Sequence, residues 1–297
     1  MQFDFSEVLT RAWQITWKNK RLWIFGFVLI LLSFLFLPLM LAPMLADIFT
    51  NYQMDEAVLL AMMLSGFLLF MLIIYPVSAL LNVALTLGVL RAEHGDEKKS
   101  FMELIRESYP FFWRYLGTMT LFVGGMLFVI LFFSIVIMAI SVVTFGLGMF
   151  CMIPFSFLQY PLILIWYVCM EQSLTAVVAD NLKVMDSVKH SWQLLKKNIW
   201  VYVLVGLVFY FGVSMISSAV MMPFIFPLFF LPFALESAEF GRIVLVITGL
   251  CMVLFMPIFS CFQGGVMTLM KSGWVLTYLR LTRGSAAQPV LLEAASS

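Results

Sequence analysis

Histidine is almost missing from this chain: His94 and His190 are the only two in 297 residues, and both fall in polar connections rather than in the long apolar runs. A Ser–His pair working inside a membrane is therefore excluded. The phosphate-cradling G-x-x-x-x-G-K-[ST] loop, the zinc-protease H-E-x-x-H and the hydrolase elbow G-x-S-x-G are all missing, and no Asp/His cluster replaces them. The four cysteines, Cys151, Cys169, Cys251 and Cys261, sit in apolar segments without a C-x-x-C pair. That placement reads as packing by small hydrophobes rather than as a metal or disulfide site. No cofactor is implied, and nothing points to a nucleic acid. Charge is scarce too, at 11% of residues.

What fills the space is apolar. The hydrophobic share is 63%, more than a water-soluble fold can bury, so a bilayer is the natural solvent. The most informative stretch is LKVMDSVKHSWQLLKKNIW (182–200), because FSEVLTRAWQITWKNKRLW (5–23) matches it in place: Trp13 with Trp192, Gln14 with Gln193, Lys18 with Lys197, Asn19 with Asn198. A more diverged copy is FMELIRESYPFFWRYLG (101–117), where Glu103 falls opposite Glu7 and Asp186, Ser108 opposite Ala12 and Ser191, and Arg114 opposite Lys18 and Lys197. Each copy runs into a long apolar segment. Tyr75-Pro76, Tyr160-Pro161 and Met256-Pro257 then recur at matching places further on.

The fold expected is an all-α integral membrane protein with six transmembrane helices in three tandem repeats, each an amphipathic helix followed by two spans. Repeat 1 covers 1–95 with spans 22–46 and 57–90. Repeat 2 covers 96–180 with spans 116–143 and 149–178, divided at the TFGLG turn of 144–148. Repeat 3 covers 181–283 with spans 199–232 and 243–270, the last extending as a helix towards Arg280, and 284–297 reads as a disordered tail. The first apolar run is too long for a signal-peptide core and has internal counterparts, so it reads as a retained span. The apolar faces of the amphipathic stretches are expected at Phe5, Leu9, Ala12, Trp13 and Thr16, then at Phe101, Ile105, Ser108, Phe112 and Tyr115, and lastly at Val184, Val188, Ser191, Trp192 and Leu195. Pro110 is expected to kink or split the second stretch, and Gly95 marks a turn.

Charge distribution sets the topology. Sixteen of the seventeen Lys and Arg residues fall on the side of the N-terminus and only Arg242 on the other. The positive-inside rule then puts both termini and all three amphipathic helices in the cytoplasm.

Two groups of residues are candidates for a function. Lys18, Lys20, Arg21, Arg114, Lys196 and Lys197 lie at the membrane entry, where each is worth about 1 kcal/mol against anionic headgroups. They read either as a lipid- or partner-docking collar or as topology signals with ordinary interfacial anchoring. Asn19 and Asn198 suit a capping job where the chain turns into the membrane. Glu171 is the one carboxylate in an apolar stretch, a proton-relay or polar-substrate candidate by position, although its place near the end of its span also suits headgroup contact. Asn82, Gln159 and Gln263 are further polar groups within spans, of the kind that bond between helices. The pairs Gly124-Gly125 and Gly264-Gly265, with Gly206 and Gly212, suit close helix contacts.

The pattern A-x-x-x-S-W-x-L-x-x-K-N, matched by MDSVKHSWQLLKKN except that Ser187 stands in the alanine position, following VVADNL and echoed by the N-terminal AWQITWKNKRLWIFGF, resembles the prokaryotic glycerophosphoryl diester phosphodiesterase membrane-domain family. In that family the membrane part is sometimes fused to a soluble phosphodiesterase, and no such catalytic domain is found in this sequence. The hydrolase activity is therefore not carried over, and the resemblance implies a membrane module of undefined biochemical role. The function expected is therefore a non-enzymatic scaffold or lipid-interacting module of a prokaryotic cytoplasmic membrane, with membrane lipids and a protein partner as its contacts. The rival is a transporter or lipid-translocating protein using Glu171 and the polar span residues.

Overall fold

The computed structural model describes residues 4–34, 55–95, 99–144, 152–225 and 238–283. Helix α1, Phe5–Lys18, opens where the Asp4 carboxylate accepts from the Glu7 amide and closes where the Asn19 side-chain amide donates to the Ile15 carbonyl at 3.2 Å. A short 3₁₀ turn, Lys20–Leu22, redirects the chain into a second helix, α2, over 23–34. Helix α3, Glu56–His94, ends at Gly95, whose φ of 78° is the left-handed conformation that favours glycine. Ser100 and Glu103 form a reciprocal capping box at the start of α4, Phe101–Val143. Helix α5 is Met152–Ala179 and α6 is Val184–Lys197, closed by Asn198 donating to the Leu194 carbonyl at 3.2 Å. Then come α7, Ile199–Gly206, a π-helical turn at Leu207–Gly212, and α8, Val213–Ile225. The last helix, α9, is Ala238–Arg283. No strand occurs among the described residues.

Packing has a simple order. Helices α3, α5 and α9 touch one another and form the middle of the bundle. The flanking helices take places around them: α1 lies on α9, α4 on α3, and α6 on α5. The α3–α4 contact runs antiparallel, from Tyr75 donating to the Thr120 hydroxyl to Arg91 paired with Glu107. Buried side chains concentrate at one end of the bundle, in Ala79–Leu90, Val168–Ala179 and Trp274–Leu279, beside the short helices. At the other end apolar side chains stand outwards. Leu72 is 74% exposed, Phe128 70% and Met215 73%, which suits hydrocarbon and not water.

Glycine fixes the closest approaches. A Cβ at Gly264 would lie 2.4 Å from the Trp23 carbonyl oxygen, so α2 sits directly on α9 there, with the Trp23 ring over Gly265. At Gly273 a Cβ would meet the Phe209 ring at 2.3 Å, and Phe209, in the π-helical turn, is fully buried. Gly125 and Gly206 also face partners, Trp166 and Leu164, but Gly124 and Gly212 meet nothing within 4 Å.

Several expectations change. The second amphipathic stretch is not a separate helix, because α4 runs unbroken through Pro110 to Val143. In α1 the buried stripe is Val8, Ala12, Ile15 and Thr16, while Leu9 and Trp13 are exposed. In α6 it is Ser187, Ser191, Leu194 and Leu195, with Trp192 exposed. The small residues do allow close packing, since Ala12, Ser108 and Ser191 are all fully buried. However, α6 lies chiefly on α5, not on the span that follows it, and α1 lies on α9. Expectations for 35–46, for most of the 144–148 turn, for 226–232 and for the tail fall outside the described residues.

Candidate functional site

Where α4, α5 and α9 converge, the bundle holds charge. The Lys271 ammonium donates to the Glu171 carboxylate at 2.8 Å, and their side chains are 6% and 12% exposed. The same ammonium lies 3.3 Å from the Tyr115 hydroxyl, so α9, α5 and α4 meet at one cation. One residue on, Gln172 accepts from the Tyr202 hydroxyl at 3.1 Å and donates to the Trp274 carbonyl at 3.4 Å, adding α7 to the set. Removing two charges from water costs several kcal/mol each, and close pairing with further hydrogen bonds offsets it. This arrangement supplies both. Glu171 is thus turned into the bundle and towards Lys271. The sequence places Lys271 among the flanking positive charges, whereas the structure buries it.

The other intramembrane candidates do not join this centre. Asn82 donates to the Ser78 carbonyl of its own helix at 2.8 Å, so it makes an intrahelical bond where an interhelical one was expected. Gln263 is half-buried on α9. The Gln159 side chain lies outside the described residues.

Near the bundle end that holds the buried core, the basic candidates separate into three situations. Arg114 clamps the α5–α6 connection, donating to both the backbone and the side-chain oxygen of Asn181, a residue held at φ 52°. Lys196 and Lys197 are exposed on the last turn of α6, and the Lys196 ammonium lies 5.1 Å from the centre of the Trp192 ring. Lys18, Lys20 and Arg21 line a cleft of about 370 Å³, closed on the other side by Arg91 and Lys99. Its floor is Leu22, Gly88, Ala92 and Leu104. Among the described residues the lining has five cations and no carboxylate. Glu107 bonds Arg91 and Lys99 from α4 and so offsets part of that charge. Its edge is rigid, because Trp17 packs edge-on against Trp23 at 5.3 Å and Trp23 donates to the Thr16 carbonyl at 3.0 Å. Sequence reading found the three cations of one wall. It missed Arg91 and Lys99, which come from the far end of α3 and the start of α4.

A second ionic knot ties α1 to the bundle. Glu93 accepts from Arg11 at 2.7 Å and from Arg280 at 2.9 Å, and Arg280 also reaches Glu7 at 2.9 Å. Among the described residues no group of His, Cys, Asp and Glu is arranged to hold a metal ion.

Among the described residues five helices are long and apolar enough to cross a bilayer: Leu60–His94, Phe101–Val143, Tyr160–Ala179, Ile199–Met222 and Leu254–Thr282. The chain is a multi-pass α-helical membrane protein. Compared with known proteins, it matches no family model, no curated protein and no solved structure.

Proposed function

We propose that this is a six-span protein of a prokaryotic cytoplasmic membrane, made of three tandem units with both termini in the cytoplasm. In this reading it has no catalytic role and serves as a scaffold that gathers anionic lipid around its cytoplasmic face. The docking order supports the three units. Each amphipathic segment lies on the second span of the preceding unit, α4 on α3 and α6 on α5, and α1 closes the circle on α9. The resemblance to the phosphodiesterase membrane-domain family belongs to the same reading, as a family in which a membrane module stands beside an enzyme.

The observation that carries the function is the collar of exposed cations interleaved with tryptophan. Lys20 lies 5.7 Å from the Trp17 ring and Lys196 5.1 Å from the Trp192 ring, while Trp200 is 81% exposed. Aromatic rings beside lysines are what an interface between headgroups and acyl chains selects. Extraction into native lipid particles, followed by lipid analysis, tests it. Anionic phospholipid should be enriched over the bulk membrane, and the enrichment should fall as salt rises. Bulk composition around the protein, or hydrolysis of the lipid by the purified chain, would sink the reading.

The Glu171–Lys271 pair favours a second reading, lipid translocation, since ionisable residues inside a membrane often mark a pathway. Proteoliposomes containing a fluorescent phosphatidylglycerol decide it. Movement of the probe between leaflets that stops in Glu171→Gln would replace the scaffold reading, and unchanged leaflet asymmetry would leave it standing.

A further inference from the structure

We propose that the cleft between the 19–22 turn, the end of α3 and the start of α4 binds one phosphate-bearing anionic headgroup. The inference deepens the scaffold reading and rests on it for the orientation of the basic end. The difference is between a diffuse collar, which only raises local lipid concentration, and a built site that retains a single molecule. Three features make it a site. The lining brings five cations together from three separate segments and, among the described residues, contains no carboxylate. The volume of about 370 Å³ gives a phosphate and its polar ester room, with an apolar floor at Leu22, Gly88 and Leu104. The walls are already in place, because Glu107 ties Arg91 and Lys99 together across the α3–α4 connection and the Trp17–Trp23 contact fixes the opposite edge.

Gly88 is central to that shape. A Cβ there would lie 2.4 Å from the Leu22 side chain and 3.4 Å from that of Leu104, so the missing side chain lets both leucines form the floor. Neighbouring Ala92 keeps the same wall low. Lys20 and Arg21 are exposed, and neither makes an ion pair among the described residues. Lysine and arginine serve such a ligand differently: the ammonium is a point charge and the guanidinium binds phosphate oxygens in pairs.

The test uses the full chain in nanodiscs of phosphatidylcholine doped with phosphatidylglycerol, with lipid retained through delipidation counted by native mass spectrometry. One retained phosphatidylglycerol per chain is expected, held about 30-fold more weakly in the Lys20→Gln/Arg21→Gln double variant. The equal-charge control, Lys196→Gln/Lys197→Gln, should keep it. Ala92→Leu narrows the cleft without changing charge and should also weaken retention. Inorganic phosphate is tested on the same particles without phosphatidylglycerol. If it protects the chain from unfolding and no lipid is retained, the headgroup chemistry stands and the source is a free phosphate. Equal losses in the two double variants would overturn the cleft while leaving the collar intact. Absence of any anionic enrichment in wild type would remove both.

Discussion

At the scale of single residues, the centre of the molecule is an ion pair whose members stand a hundred positions apart. Glu171 was visible in the sequence because it is the only carboxylate in an apolar run. Lys271 was not singled out, since a lysine towards the end of a span normally reads as a topology signal. A clue was present nonetheless: SGWVLTYL follows it, so a helix continued to Arg280 leaves Lys271 with apolar sequence on both sides. The pair yields a sharp expectation. Lys271→Met or Glu171→Leu alone strands a buried charge and should lower stability by about 3–5 kcal/mol. The double variant should recover most of that loss. Thermal unfolding of the four proteins in one lipid environment measures the coupling, and additive losses would show that the two charges do not act as a pair. Tyr115 was legible only as part of the apolar face of the second amphipathic stretch, and Gln172 only as a polar neighbour of Glu171; which helix each would reach was not, because hydrogen-bond partners between helices leave no periodic trace.

At the scale of elements, the short helices show why apolar periodicity misplaces a face inside a membrane. In water an amphipathic helix has one apolar side, and it meets the core. In the proposed reading α1 and α6 lie at a bilayer surface and meet protein on one side and lipid on another, so two faces are apolar and a hydrophobic stripe does not say which is which. Trp13 and Trp192 occupy one matching position and both point outwards, 54% and 44% exposed. The small residues gave the better signal. Ala12, Ser108 and Ser191 share the other column and are fully buried, because only a short side chain lets two backbones come close. It follows that Ser191→Leu overpacks the α5–α6 contact and should cost about 1–3 kcal/mol. Trp192→Ala should leave unfolding almost unchanged and loosen the helix from the lipid surface instead. Differential scanning of both variants in nanodiscs checks the contrast, and equal destabilisation by the two would return the tryptophan to the bundle face. The second stretch escaped this pattern for another reason. Where Asn19 and Asn198 end α1 and α6 by bonding back to the fourth carbonyl before them, the corresponding residue of α4 is Tyr115, which points inwards to Lys271 and continues the helix.

At the scale of the whole molecule, the proposed three-unit ring makes a claim that no linear bundle makes. In an up-and-down arrangement the first and last helices have distinct places because the chain begins and ends there. In a ring of units, each docked on the one before, any connection between units is equivalent to the gap between the termini. The sequence carried the units through three recurrences, but not their closure, since α1 and α9 are joined by no local pattern. Their contact is made by side chains at opposite ends of the chain: Arg280 reaches Glu7 at 2.9 Å and shares Glu93 with Arg11. A circular permutant should therefore fold. Opening the chain within 96–98 and joining Ser297 to Met1, with 284–297 as the linker, gives the unit order two, three, one without changing which side any loop occupies. Each unit still has an even number of spans, so the positive-inside bias is kept. The expected outcome is insertion at wild-type levels and a melting temperature within a few degrees of the parent. Limited proteolysis adds the decisive readout. In the permutant, cleavage at Arg11 and Lys18 should stay as slow as in the parent, because α1 keeps its seat on α9. A permutant that inserts but exposes those sites would show that α1 is held by chain order and not by the ring.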